Sequence, residues 1–112
     1  LLWVENHAVF ARTAGRLFLA AHDLTVVPSL AAARVALAAG RFDAVLVDYD
    51  LDDGKGAELV AFVRRLPGRV PVVAASAHEA GNAALLAAGA DAACPKARFA
   101  GVAAGLAAVV GR

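Results

Sequence analysis

At 112 residues, 61% hydrophobic and 19% charged with a formal net charge of +1, the chain is long enough for one domain that closes a core without disulfides or a structural metal. Its Lys and Arg are scattered rather than gathered into a stripe, which argues against direct nucleic-acid binding by this domain, and no apolar run reaches the roughly 20 residues of a membrane span. A lone cysteine excludes an internal disulfide and fits a reducing compartment. The sequence begins at Leu1 without a Met, so residues 1–112 are expected to be one domain trimmed from a longer product.

Taken in chain order, Leu1-Leu2-Trp3-Val4 is a short apolar run that ends in Glu5-Asn6, as a buried strand does when it reaches a sheet edge. Apolar residues at helical spacing (Phe10, Ala14, Leu17, Phe18, Ala21) then predict a helix over 7–21. Leu24 to Val27 reads as a second strand, and Ser29 as the N-cap of a helix that runs through Ala39 and stops at Gly40. Ala44 to Val47 is a third strand and Ala57 to Leu66 a helix ended by Pro67-Gly68. Val70 to Ala75 is a fourth strand, Ala80 to Ala88 a helix stopped by Gly89, Ala92 to Cys94 a fifth strand, and Arg98 to Val110 the last helix.

Strands without alternation are buried on both faces, and strands separated by helices of this length imply a parallel sheet. The expected fold is therefore α/β: a single-domain, doubly wound five-stranded parallel sheet of order 2-1-3-4-5, helices on both faces, in the flavodoxin-like manner. Ligands in such sheets sit beyond the carboxyl ends of the strands. The strands deliver Glu5 and Asn6, then Asp48, Ser76 and Lys96 to that edge. A carboxylate beside further oxygen donors suits Mg²⁺, which prefers oxygen ligands and keeps several waters. Lys96 supplies a positive charge and Ser76 a hydrogen bond for phosphoryl oxygens, and an aspartate can itself be the nucleophile. Asp48 is thus the candidate phosphoacceptor, with Mg²⁺ held by Glu5, Asn6, Asp48 and the Asp50 position.

Other chemistries use some of the same residues. Asp48, Asp50 and Asp52 begin like a calcium loop, but Asp53 stands where that loop needs Gly and Leu59 where it needs Glu. His7, His78 and Cys94 could suggest zinc, yet Cys94 lies on a strand and reads as a buried small hydrophobe. Asp52 and Asp53 before Gly54 read as turn formers in a solvated loop, and Gly54 and Gly56 as turn residues. Taken singly, Asn6 or Ser76 could be a helix cap and Lys96 a surface charge.

Val4-Glu5-Asn6, Val45-Leu46-Val47-Asp48, Ala75-Ser76-Ala77 and Ala90-Asp91 through Pro95-Lys96 resemble, in order and over nearly the whole chain, the receiver domain of bacterial two-component response regulators. The resemblance implies a cytoplasmic signalling domain rather than an enzyme, at most taking phosphate from small donors and losing it by itself. It implies that a sensor histidine kinase or phosphotransfer protein phosphorylates Asp48, and that the Ser76 hydroxyl moves toward the phosphoryl group. The face of the fourth helix, fifth strand and fifth helix would then be remodelled for an output domain, a partner protein or a second copy of the chain. The sequence departs from the family's pattern at Asn6, where a second acid is usual, at Ala93, where an aromatic residue usually swings, and at Ala97, usually proline. The stretch from Ser76 to Lys96 is also about two residues short, at the start of the fourth helix. These departures define an alternative, a receiver-like interaction module that works without phosphorylation. Asp48-Tyr49-Asp50 also resembles the nucleophile and general acid of haloacid dehalogenase-type phosphatases; there, however, the nucleophile closes the first strand, whereas here a strand-helix-strand-helix unit precedes it.

Overall fold

The computed structural model describes residues 1–110. Its main sheet contains β1 (Leu2–Val4), β2 (Thr25–Val27), β3 (Val45–Val47), β6 (Val72–Ala74) and β7 (Ala92–Ala93). All pairs are parallel, in the order β2-β1-β3-β6-β7. The expected 2-1-3-4-5 order is this one, with a small antiparallel hairpin, β4 (Asp50–Leu51) and β5 (Gly54–Lys55), numbered separately.

Alternate residues of the central strands face opposite layers. Leu2, Val4, Val45, Val47, Val72 and Ala74 pack with Leu30, Leu59, Val60, Val63 and Leu85, which come from α2 (Leu30–Ala39), α3 (Gly56–Arg65) and α4 (Glu79–Ala87). Trp3, Leu46 and Val73 face the other way, onto Ala11 and Ala14 of α1 (Ala8–Phe18) and Val102, Leu106 and Val109 of α5 (Val102–Val110). Each such side chain taken from water contributes about 1.5–3 kcal/mol, which is why strands of two or three residues suffice. Burial on both faces holds for β1, β3 and β6. It fails for the two edge strands, β2, where Thr25 and Val26 are exposed, and β7, where Ala93 is exposed.

Helix boundaries follow local chemistry. Ser29 Oγ accepts the Ala32 N–H at 3.1 Å and starts α2 as expected. The first helix ends at Phe18 rather than Ala21, because Leu19 turns into the core and the His22 N–H closes back on its carbonyl. The last helix is not continuous from Arg98. A 3₁₀ segment over Lys96–Gly101 precedes α5 and carries Phe99 onto the Trp3 ring, stacked at a centroid distance of 5.1 Å. Cys94 is buried as expected, although β7 ends one residue before it. Among the described residues no helix is long and apolar enough to cross a membrane.

Candidate functional site at the carboxyl edge of the sheet

Backbone hydrogen bonds continue past the strands and align their ends. Asp48 donates to Val4 O at 3.0 Å, Ala75 to Val47 O at 2.8 Å, and Lys96 to Ser76 O at 3.2 Å. This ladder sets Glu5, Asp48, Ser76 and Lys96 side by side. Lys96 Nζ lies 2.7 Å from Glu5 Oε1 and 3.0 Å from Asp48 Oδ2, with its side chain only 11% exposed. The ammonium also rests over the Phe10 ring, 5.0 Å from its centroid. Lys96 is therefore the half-buried counter-ion of two carboxylates and not a surface charge.

The remaining oxygens are held as well. Glu5 Oε2 accepts the His7 N–H at 3.0 Å and Asp48 Oδ1 the Tyr49 N–H at 2.8 Å. Burial pushes the Glu5 carboxyl upward; the Lys96 and His7 contacts oppose this, the Asp48 charge adds to it, and the net direction is up. The only buried polar or charged residues among those described are Glu5, Asp48, Ser76 and Asn82. All four meet at this edge. Burial of polar groups is costly unless they are partnered, so their concentration in one place marks a built site.

The other predicted site residues lie at the rim. A cleft of about 340 Å³ is lined by Asn6, His7, Phe10, Asp48, Asp50, Ala77, His78 and Lys96. Asn6 does not cap α1, whose N-cap is His7; its Nδ2 donates to Asp52 Oδ1 at 3.3 Å. Asp50 pairs with Lys55 in the hairpin, both side chains being more than half exposed. Ser76 does not cap α4 either, since His78 holds that position; its Oγ accepts the His78 N–H at 3.2 Å.

Three contributors escape a reading of the sequence alone. Asp53 is no free turn former: its carboxylate accepts the Leu30 N–H at 2.7 Å and the Ala31 N–H at 3.0 Å, capping α2 from another element. Those two bonds hold its pKa below the usual aspartate value. Gly56 is more than a turn residue, because a Cβ there would overlap the Asp48 carbonyl oxygen. Asn82, in α4, brackets the Ser76 peptide groups.

The family model described as the response regulator receiver domain matches residues 1–97. A comparison with curated proteins gave no match. Among solved structures, the receiver domain of the sensor histidine kinase PA1611 from Pseudomonas aeruginosa PAO1, which has a magnesium ion coordinated in its active-site cleft, is similar at a TM-score of 0.88 and 23% identity over 99% of this chain and 96% of that one. The receiver domain of the Francisella response regulator 1452 is similar at 0.85 and 18% over 99% and 95%. A CheY-like receiver domain from Methylobacillus flagellatus is similar at 0.75 and 26% over 94% and 95%. The ladder of strand ends, the buried charge cluster and the family match agree, and the chain belongs to the response regulator receiver domain family.

Proposed function

We propose that this receiver domain takes a phosphoryl group from a sensor histidine kinase or phosphotransfer protein onto Asp48. The observation that carries the reading is the buried arrangement in which one ammonium, Lys96, bridges Glu5 and Asp48. An Asp48 carboxylate oxygen attacks the phosphorus, a P–O bond forms, and the bond from phosphorus to the donor atom breaks with its electron pair leaving on the donor. Lys96 can follow the new negative charge by shifting from carboxylate to phosphoryl oxygen, and the Ser76 hydroxyl can donate a hydrogen bond to another oxygen.

The donors at the cleft suit a hard divalent cation. Glu5, Asp48 and Asp50 do not form a three-carboxylate set among the described residues, so the amide oxygen of Asn6 would complete the site with Asp48, Asp50 or its neighbouring carbonyl, and Glu5 behind them. Magnesium, when bound, supplies positive charge for the phosphoryl oxygens. The PA1611 receiver, with magnesium in its cleft, supports this assignment by analogy.

The signal would leave through the face of α4, β7 and α5. There Leu86 and Ala93 are exposed and could meet an output domain, a partner or a second copy. A second reading, an interaction module independent of phosphorylation, is favoured by two observations: Asn6 is bonded to Asp52, and the exposed Ala93 has no ring to swing.

Incubation with Mg²⁺ and acetyl phosphate, followed by intact mass and peptide mapping, separates the two. The expected result is one phosphoryl group on Asp48, absent in Asp48→Asn and after prior chelation of the metal. An adduct on Asp50 or Asp52 instead would overturn the assignment, and no adduct at all would favour the interaction module.

A further inference from the structure

Among the described residues, Asn82 is the one buried polar residue that phosphoryl transfer, as described, leaves without a task. It lies one turn into α4, with its amide turned inward. Oδ1 accepts the Ser76 N–H at 2.9 Å and Nδ2 donates to the Ser76 carbonyl at 3.1 Å, both bonds buried. The Lys96 N–H reaches the same carbonyl at 3.2 Å. Both peptide groups of Ser76 are thus fixed, one of them shared with the backbone of the charge-bearing lysine.

The neighbouring helix residue is shaped to the same end. A Cβ on Gly81 would sit 2.7 Å from Ser76 Oγ, so its absence lets the serine nest against α4. The hydroxyl accepts the His78 N–H, which leaves its own proton to be donated elsewhere. A buried amide that exchanges water for two protein partners gains little net stability. What it fixes is the Ser76 backbone, held by a group rooted in a helix rather than in a loop.

We propose that Asn82 is a positioning residue for phosphoryl transfer, bracketing the Ser76 backbone so that its hydroxyl turns from a fixed pivot to hydrogen-bond a phosphoryl oxygen on Asp48. The inference rests on the phosphoacceptor reading above. Asn82 takes no part in bond making. With acetyl phosphate the Asp48 oxygen forms the new P–O bond, acetate leaves with the electron pair, and the Ser76 proton stays on its oxygen.

The test is a double-mutant cycle on the rate of phosphoryl uptake from acetyl phosphate with Mg²⁺, followed by intact mass in wild type, Asn82→Ala, Ser76→Ala and the double variant, alongside each thermal midpoint. Asn82→Ala is expected to slow uptake on the order of ten-fold when Ser76 is present and less than about two-fold when it is Ala. The fall in thermal midpoint should be the same in both backgrounds. An equal slowing in both, or none in either, would show that Asn82 only supports the fold. Should Asn82→Ala fail to fold, Asn82→Asp keeps the acceptor for the Ser76 N–H, loses the donor to its carbonyl, and runs through the same cycle. A wild type that takes no phosphoryl group removes the phosphoacceptor reading and this inference with it, whereas uptake with uncoupled variants removes the inference alone.

Discussion

Gly56 stands where α3 starts and the Asp48 carbonyl passes, and the Gly56 N–H closes on the Tyr49 carbonyl at 2.6 Å. A methyl group would have to displace the acceptor's own backbone. Gly56→Ala is therefore expected to cost about 3 kcal/mol, the upper end for overpacking, and urea denaturation that showed less than about 1 kcal/mol would mean the backbone yields freely. Asn6 can be treated at the same scale. Replacing its amide by a carboxylate restores a negative oxygen donor at the cleft, so Asn6→Asp should tighten Mg²⁺ roughly ten-fold. Trp3 can report the titration, because its ring neighbours Phe10, which lies beneath Lys96. Unchanged affinity would place the metal away from Asn6.

The elements show which parts of this could be read from the sequence. Strand ends are marked where an apolar run stops at a polar residue, and parallel strands stop at one edge. Glu5, Asp48, Ser76 and Lys96 were therefore legible together. The hairpin was not, because β4 and β5 have two residues each and only Leu51 is buried. The role of Asp53 was hidden for a different reason: its partners Leu30 and Ala31 lie more than twenty positions away, so only the folded hairpin brings cap and helix together. Nothing in the sequence singles out Asn82, whose role shows only once α4 is placed against Ser76. The cap gives a prediction of its own: Asp53→Ala should speed amide exchange at Leu30 and Ala31 while Ala32, bonded to Ser29, exchanges as before. Unchanged exchange at Leu30 and Ala31 would mean that Ser29 alone secures the helix start.

On the scale of the molecule, the edge of the sheet opposite the cleft is fastened by one carboxylate. Asp91 accepts from Arg64 at 2.6 Å and from the Val72 N–H at 2.8 Å, and it also pairs with Arg69, while Arg64 reaches the Gly89 and Val70 carbonyls. Burial alone would raise the Asp91 pKa, but the Val72 N–H and the two guanidiniums outweigh it and hold it below the ordinary aspartate value. An acid so depressed contributes stability above its unfolded pKa of about 3.9 and loses it as pH falls through the lower folded value. Asp91→Asn should cost about 2 kcal/mol at pH 7. The gap to wild type in urea midpoint should narrow toward about pH 3; a gap independent of pH would place the effect in packing.

The strand order also bears on how the chain assembles. β2 adds to one side of β1 and β3 to the other, β6 then joins β3, and β7 joins β6. Every strand, taken in the order of synthesis, meets an open edge, and none has to be threaded between two neighbours already paired. The sheet can grow outward from its first strand, and after Glu5 and Asn6 have come with that strand, Asp48, Ser76 and Lys96 each arrive beyond a strand whose neighbour is already in place.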